Sequence, residues 1–274
     1  MTPQKEVCWN NADDNCNATT DSSRECLVNT GVVVRYFINE AEAGQGPGAL
    51  QDAAPDPLPL TIAYGSELSF TKVNGHRGLK WTSAGGAGKA FAFIDGTKIQ
   101  TALSGHTGTI EVVMTIEDVL EPIYGLSRIS YIGPGTGESF SLYTPSLDEF
   151  RFRFNYVDSN NGSSVGFPSA GYNNLGRMAL HLVLDTSAPV ATERAKLYMN
   201  GILISTTTMD EAKLPAMNET IDMPADQFYA LGNTQNGGRS FQGTLYYAAM
   251  YSAALSEAEI TTNASILLID DDAL

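Results

Sequence analysis

Four side chains of this sequence could together neutralise a substrate carboxylate and transfer a proton. They are two arginines, a histidine and a tyrosine. Arg151 and Arg153 alternate with phenylalanines, His181 alternates with leucines, and Tyr172 lies between these segments. Arginine can neutralise a carboxylate while histidine or tyrosine transfers a proton. Convergence of these residues on a concave sheet face would indicate a carbohydrate-active enzyme, a lyase or a glycosidase. The competing interpretation is a charged outer face, with His181 as a half-buried strand residue.

The acidic segment at residues 115–122 does not supply the paired carboxylates of a retaining glycosidase. Such an enzyme needs two carboxyl groups close together in one cleft. Glu117 and Asp118 are adjacent, so strand alternation directs them to opposite faces. With Glu121 they are typical of a solvated strand end. The sequence has no His-x-His or His-Glu-x-x-His motif, and no Gly-x-Ser-x-Gly elbow follows a strand into a helix, which disfavours a catalytic metal or acyl transfer.

Oxygen-bearing side chains recur in two polar segments in a way typical of calcium ligands. In the first, Asn11, Asp13 and Asn15 occupy alternate positions, and in the second Asp158 and Asn160 crowd a turn. Carboxylate and amide oxygens are the ligands that Ca²⁺ prefers. The first segment lacks the glycine of a calcium loop, and Asx residues favour turns without an ion. A calcium site and a plain polar segment therefore both stay open.

Two predicted loops carry the chemistry of sugar binding. An aromatic ring stacks on the apolar face of a sugar, while amide and charged groups bond its hydroxyls. Asparagine- and glycine-rich loops are also ordinary turn material. The predicted ligand-binding residues are Tyr172, Asn173 and Asn174 in one loop, and Asn233, Gln235, Asn236 and Arg239 in the other.

All three cysteines, Cys8, Cys16 and Cys26, lie within residues 1–30, which we interpret as a polar N-terminal arm. This clustering is typical of a disulfide-bonded segment from an oxidising compartment and predicts an extracellular protein. The odd count leaves one thiol free or paired with another chain, so we expect self-assembly through the arm. Zinc is an alternative, but no histidine completes its ligand set. Residues 31–274 are predicted to form a single domain.

The charge balance excludes one class of partner. The chain has 274 residues, with 31 acidic and 16 basic side chains, and a formal net charge of -15. Such a surface repels phosphate backbones, which argues against nucleic-acid binding. No apolar run approaches the roughly 20 residues that span a bilayer, so we expect no membrane insertion.

Tight turns indicate how the elements are arranged. Asn200-Gly201 separates two apolar runs and tolerates the positive φ of a type I′ hairpin turn. The resulting pairing gives one aliphatic face, which must cover a core. Asp95-Gly96 predicts a second hairpin of the same kind. The aliphatic face of the first hairpin comprises Leu197, Met199, Ile202 and Ile204.

Two further segments alternate strongly between apolar and polar side chains. One places phenylalanines at 150, 152 and 154 on one face, and the other places Met178, Leu180, Leu182 and Leu184 on one face. One-faced strands in series predict two antiparallel sheets stacked about a shared core. Near the C-terminus, Ser256 and Glu259 form the pattern of a capping box and predict a short peripheral helix. Residues 265–270 are predicted to be a closing strand.

Two stretches in the last third of the chain resemble the laminin-G-like, concanavalin A-like jelly rolls. They read RMALHLVLDTSAPVATERAKLYMNGILISTTT and FYALGNTQNGGRSFQGTLYYAAMYSAALSEAEI. The first is similar to the family's central hairpin, with its Leu-Tyr-x-Asn-Gly pattern. The second is similar to the family's tail, with a Leu-Gly-Asn strand end and a Leu-Ser-x-x-Glu-Ile helix start. The resemblance implies an extracellular module that binds sugars or proteins, in some cases through calcium at the rim.

The sequence therefore predicts an all-β, two-sheet antiparallel β-sandwich, a jelly roll with one short peripheral helix. The missing catalytic patterns favour a non-catalytic binding or adhesion module for a glycan or a surface protein, assisted by calcium if the polar segments bind it. The alternatives are a structural subunit of a surface layer, sheath or filament, and the carbohydrate-active enzyme described above. The fold itself does not decide among them, because this architecture carries many functions.

Overall fold

The protein is a β-sandwich of two eight-stranded sheets. The structure is a computed structural model that describes residues 26–117, 127–133, 139–146, 149–154, 163–168, 176–204 and 214–272. The strand pairs in both sheets are antiparallel. The predicted fold class is confirmed.

Sheet A consists, in spatial order, of β14 (Ile202–Leu203), β13 (Ala195–Met199), β12 (Met178–Asp185), β7 (Thr107–Ile116), β16 (Gly243–Tyr251), β5 (His76–Trp81) and β4 (Leu68–Val73). Strand β1 (Val32–Phe37) also pairs with β16.

Sheet B consists, in spatial order, of β11 (Ser163–Pro168), β10 (Glu149–Phe154), β9 (Phe140–Ser146), β8 (Ser127–Gly133), β15 (Phe228–Leu231), β6 (Lys89–Phe93), β3 (Leu60–Ala63) and β2 (Ala49–Leu50). Helix α1 (Lys98–Leu103) follows β6, a 3₁₀ turn occupies Ala191–Glu193, and helix α2 (Glu257–Leu267) follows β16.

The core lies between the sheets and is built from the alternation seen in the sequence. The phenylalanines of β10 and the aliphatic residues of β12 belong to one buried cluster, although the two strands lie in different sheets. Burial of a side chain of this size contributes about 1.5–3 kcal/mol to the free energy of unfolding. The fully buried residues of these two strands are Phe150, Phe152, Phe154, Met178, Leu180, Leu182 and Leu184.

The hairpin between β13 and β14 turns at Asn200-Gly201, as predicted. Both residues have positive φ, at 52° and 81°. Leu197 is fully buried, and Met199 is partly buried against the core. The prediction for Ile202 is wrong, because 73% of its surface is exposed. Strand β14 is only two residues long and ends the sheet, so its side chains reach past the core.

Helix α2 begins at the predicted capping box. Ser256 Oγ accepts a hydrogen bond from the Glu259 backbone N–H, and the Glu259 carboxylate accepts one from the Ser256 N–H at 2.8 Å. The helix is longer than predicted, since it continues to Leu267, and the predicted strand at residues 265–270 is wrong. Residues 265–267 follow without a break from a capped helix and extend it, while residues 268–270 lie beyond its end and join no sheet.

The prediction of a second hairpin at Asp95-Gly96 is wrong. Asp95-Gly96 does not close a hairpin, because the chain continues from β6 into helix α1. Gly96 alone of the pair has positive φ, which is insufficient for a type I′ turn. Leu27 is buried in a cluster with residues of sheet A and helix α2. Cys26 is disulfide-bonded, while Cys8 and Cys16 lie outside the described residues, and the pairing stays a prediction.

In the described part of the chain, helices are too short and too polar to cross a lipid bilayer.

Candidate functional site

The outer face of sheet A is covered by helix α2 and by the start of the described chain. Ile260, Ala264 and Leu267 of the helix belong to one buried cluster with Tyr198 of β13. Leu27 belongs to the same cluster. A ligand therefore has no access to this part of the face.

A buried polar network lies beneath this cover and has Glu111 at its centre. Its Oε1 lies 2.7 Å from His181 Nε2 and accepts a hydrogen bond from Asn263 Nδ2 at 2.8 Å. Its Oε2 accepts hydrogen bonds from the hydroxyls of Tyr247 and Tyr251, at 2.8 and 2.6 Å. Strands β7, β12 and β16 and helix α2 are thus joined at one carboxylate.

Arg35 of β1 supplies the positive charge of this network. Its Nε donates to the Tyr247 hydroxyl at 3.0 Å, and one Nη donates to the Tyr251 hydroxyl at 3.1 Å. The same guanidinium also binds the Val28 carbonyl at 2.7 Å and the Asn29 side chain at 2.6 Å. The chain entering β1 is therefore tied to the same network.

The network keeps Glu111 ionised. Burial on its own raises the pKa of a carboxyl group, but hydrogen bonding with His181 and Tyr251 and the charge of Arg35 outweigh it, and the pKa of Glu111 falls to about 2. Glu111 and His181 are both fully buried. A histidine–carboxylate pair is a common acid–base couple, but this one has no contact with solvent. Its role is structural.

The outer face of sheet B carries aromatic side chains. Phe91 and Phe93 of β6, Phe228 of β15 and Tyr131 of β8 point away from the core, and we call these four residues the aromatic platform. Phe228 lies at the centre, with ring centroids 5.6 Å from Tyr131, 6.3 Å from Phe91 and 6.5 Å from Phe93. Phe93 is 62% exposed, while Tyr131 and Phe228 are buried. The platform thus presents the exposed Phe93 ring and the partly exposed Phe91 ring on a buried base of Tyr131 and Phe228.

The strand register continues this face from the platform to the two arginines. Phe91 pairs with Ala230, and Ala230 with Tyr131. Tyr131 pairs with Ser141, and Ser141 with Arg153. Paired residues point to the same side of a sheet. One row therefore leads across five strands from an aromatic ring to a cation.

The loop from Gly232 to Ser240 lies at one end of the platform. Lys89 Nζ donates a hydrogen bond to the Gln235 carbonyl and lies 5.6 Å from the centre of the Phe91 ring. Burial lowers the pKa of Lys89. Asn236 and Arg239 of this loop are exposed. The loop therefore places polar groups beside the platform.

Asn233, predicted to bind ligand, holds this loop together instead. Its Nδ2 donates to the carbonyls of Gly86 and Gly88, at 2.8 and 3.0 Å. Its Oδ1 accepts from the backbone N–H groups of Thr234 and Arg239, at 2.8 and 3.1 Å. Both donors and both acceptor sites of the amide are thus used within the protein, and the side chain is fully buried.

The structure does not bring together the predicted enzyme residues. His181 lies in sheet A, beneath helix α2, whereas Arg151 and Arg153 lie in sheet B, on the opposite outer face of the sandwich. The two faces are separated by the core, so these side chains do not share a cleft.

Several predicted residues lie outside the described residues. They are Tyr172, Asn173 and Asn174 of the first sugar-binding loop, and Asn11, Asp13, Asn15, Asp158 and Asn160 of the calcium segments. In the part of the chain that the structure describes, His, Cys, Asp and Glu side chains form no cluster suited to a metal ion. Calcium binding stays a prediction.

The aromatic platform was missed in the sequence, although a signal for it exists. In the segment Lys89–Phe93, alanines alternate with phenylalanines, and the alanines face the core. This inverts the usual pattern, in which the large apolar residue is buried. The platform also combines β6, β8 and β15, whose pairing depends on residues far apart in the chain.

The two-sheet antiparallel sandwich with a hairpin and a capped terminal helix defines a lectin-like jelly roll. Residues 124–261 match the profile of the concanavalin A-like lectin/glucanases superfamily, and the chain belongs to this superfamily. The comparison with curated protein sequences found no match.

Solved structures with a similar fold include two that differ in origin. Trypanosoma rangeli sialidase in complex with sialic acid is 14% identical, with a TM-score of 0.51, over 88% of this chain and 33% of that chain. The botulinum neurotoxin serotype D ligand binding domain in complex with N-acetylneuraminic acid is 14% identical, with a TM-score of 0.57, over 89% of this chain and 52% of that chain. The chain thus spans about a third and about half of these proteins, and the likeness is one of fold.

Proposed function

We propose that the protein is a non-catalytic carbohydrate-binding module and that its glycan lies across the outer face of sheet B. The observation that carries the proposal is the aromatic platform, with Phe93 exposed above a buried base of Phe228 and Tyr131. An exposed aromatic ring on rigid strands is suited to stack on the apolar face of a sugar.

The superfamily and the neighbouring structures support a glycan ligand. Both neighbours described above were solved with a sialic acid bound. Helix α2 covers the outer face of sheet A around Tyr198, whereas Phe93 on the outer face of sheet B is exposed. An extracellular location and a role in adhesion belong to the same proposal, as does calcium bound by the polar segments.

A glycan array with the purified protein tests the proposal, and adding a chelator in a parallel run tests the calcium. The array includes sialylated glycans and their unsialylated counterparts. We expect Phe93→Ala to weaken binding of any positive glycan about tenfold, because loss of a stacked ring costs on the order of 1 kcal/mol. Ile202→Ala is the matched control, since it removes an exposed apolar side chain from sheet A.

The proposal fails if no glycan binds, or if Phe93→Ala binds as tightly as the unaltered protein. Loss of binding in both variants would also contradict it, because Ile202 lies away from the platform.

A structural subunit that self-assembles is the second candidate, and one observation favours it. Ile202 and Leu203 of the edge strand β14 are 73% and 45% exposed. Apolar side chains on a sheet edge promote pairing with another chain. Light scattering with and without reductant tests this function, and a monomer under both conditions rejects it.

A further inference from the structure

The accessible part of the aromatic platform consists of two rings on one strand. Phe91 is partly exposed and Phe93 is 62% exposed, whereas Tyr131 and Phe228 are buried. Residues two positions apart on a strand lie about 7 Å from each other along it, a distance close to the width of one sugar ring. The platform contains four aromatic side chains, but its accessible surface therefore matches a single sugar.

The two accessible rings do not lie in one plane. Their centroids are 6.3 Å apart and their planes are inclined by 80°, so the edge of one ring meets the face of the other. A flat polysaccharide ribbon can lie against two rings at once only if the rings share a plane. Phe91 and Phe93 instead form a corner. In it, one ring can stack on the apolar face of a sugar while the other contacts the side of the same sugar.

A hydroxyl group lies beside this corner, on the neighbouring strand β3. Thr61 pairs with Phe91 and is exposed, whereas Leu60 and Ile62 on either side of it are buried. Strand alternation therefore places the Thr61 side chain on the outer face, next to the Phe91 ring. Its hydroxyl can donate a hydrogen bond to a sugar hydroxyl and accept one from it.

An ammonium group lies near the same ring, two residues earlier on β6. Lys89 is partly exposed, and its Nζ lies 5.6 Å from the centroid of the Phe91 ring. The Nζ has three donors and gives one of them to the Gln235 carbonyl, which leaves donors for a sugar hydroxyl. The corner is thus bordered by polar groups on the β3 side and at the Lys89 end.

We infer that the platform binds one sugar of a soluble glycan, held in the corner between Phe91 and Phe93 with its hydroxyls bonded to Thr61 and Lys89, and not the flat surface of an insoluble polysaccharide. This inference rests on the proposed function and adds the class of glycan. A terminal or side-branch sugar projects from its neighbours and can enter a corner. A sugar within crystalline cellulose or chitin is flanked by other chains and cannot.

NMR titration with single sugars tests the inference. The probes are the methyl glycosides of glucose, galactose, mannose, N-acetylglucosamine and N-acetylneuraminic acid. We expect at least one of them to bind within about tenfold of the affinity of the best glycan on the array, because one sugar makes most of the contacts. Sedimentation with microcrystalline cellulose and with crystalline chitin is the parallel measurement, and we expect the protein to stay in solution.

Substitutions at the corner test the assigned residues. Phe91→Leu removes a ring and keeps an apolar side chain, and we expect it to weaken binding of the single sugar severalfold. Thr61→Val keeps the shape of the side chain and removes the hydroxyl, and Lys89→Met removes the ammonium group. We expect each to weaken binding severalfold. Thr192→Val is the matched control, since it removes an exposed hydroxyl from the 3₁₀ turn between β12 and β13, and its affinity should be unchanged.

The outcomes separate the two levels of the proposal. Binding of an array glycan without binding of any single sugar overturns the inference and leaves carbohydrate binding intact, as does sedimentation with either crystalline polysaccharide. Unchanged binding in Phe91→Leu and Thr61→Val overturns the assignment to the corner. Absence of binding to the single sugars and to every glycan of the array overturns both. If Phe91→Leu does not fold, Thr61→Val decides the assignment, because it alters an exposed side chain.

Discussion

Glu111 has the chemistry of a catalytic base, but its hydrogen bonds connect β7 to β12, β16 and helix α2. The sequence identifies His181 as one candidate for proton transfer, but its partner Glu111 lies on β7, far away in the chain. Tyr247, Tyr251 and Asn263 come from still later segments. Strand alternation predicts which face a residue occupies, but it does not predict that a helix will cover that face. For this reason the sequence pointed to an open site where the structure has a closed one.

The lowered pKa of Glu111 predicts acid sensitivity. Its pKa is about 2 in the folded protein against 4.5 ordinarily, so its contribution to stability is complete above pH 4.5 and is lost as the pH falls to about 2. The difference corresponds to about 3 kcal/mol. We expect Glu111→Gln to lower the free energy of unfolding at pH 7 by about that amount, because Arg35 loses its counter-charge.

Urea unfolding at pH 7 and pH 3 measures this effect. The variant should lose less stability between the two values than the unaltered protein does. Glu42→Gln is the control, since Glu42 is exposed and paired with Lys72, and its loss of stability between the two pH values should match that of the unaltered protein. Equal pH dependence in both Glu111→Gln and the unaltered protein would contradict the role given to this carboxylate.

Asn233 is a second residue whose type indicated a functional site but whose contacts are structural. Its residue type and its Gly-rich neighbourhood fit a sugar-binding loop, but all its hydrogen bonds are internal. We expect Asn233→Ala to reduce the free energy of unfolding by about 1–3 kcal/mol, because it leaves buried backbone groups without partners. Thermal unfolding measures this loss, with the exposed Asn236→Ala as control. A stable variant with impaired glycan binding would instead support the original prediction.

At the scale of elements, short-range sequence signals were reliable where they determine local geometry. The Asn200-Gly201 turn and the capping box of helix α2 were predicted correctly, because each depends on a few adjacent residues. Asp95-Gly96 was predicted wrongly for an equally local reason. The turn there needs only one positive φ, and the residues after it form helix α1.

Gly201 provides a test of the contact between the hairpin and helix α2. A Cβ at this position would lie 3.3 Å from Thr261 Cα and 3.5 Å from Ala264 Cβ, and φ is +81°. We expect Gly201→Ala to reduce the free energy of unfolding by about 1–3 kcal/mol, since it adds backbone strain to a tight contact. Chemical denaturation measures it.

Gly105→Ala is the control for this substitution, because a Cβ there meets nothing within 4 Å and φ is not strained. We expect little change in its stability. If the two variants are equally stable, the turn and the helix are not as tightly coupled as their distance indicates.

At the scale of the whole molecule, the sequence predicted the two-sheet sandwich but not the order of its strands. Alternation in β10 and β12 required two sheets about one core, and the resemblance in the last third of the chain pointed to the same architecture. The face that we propose for glycan binding was not predictable from the sequence, because local patterns do not show which outer face helix α2 covers. The aromatic platform depends on pairing among β6, β8 and β15, which local patterns do not specify.

The net charge of -15 predicts an unusual salt dependence for an anionic glycan. Long-range repulsion slows the approach of the ligand, and salt screens this repulsion beyond about 8 Å at physiological ionic strength. We therefore expect the association rate of a sialylated glycan to increase between about 0.01 and 0.15 M salt. Surface plasmon resonance measures this rate. A neutral glycan should show no such change, and a falling association rate would contradict the prediction.

The covered outer face of sheet A also affects how several copies of the protein would bind together. Leu27 and Val28 enter the fold on the side of sheet A, against helix α2. Copies attached to a support through the preceding residues would be joined on the side opposite the aromatic platform, which leaves that face of each copy unobstructed. Weak single contacts would then add up to firm retention of a polymeric glycan by avidity, without any change in the individual site.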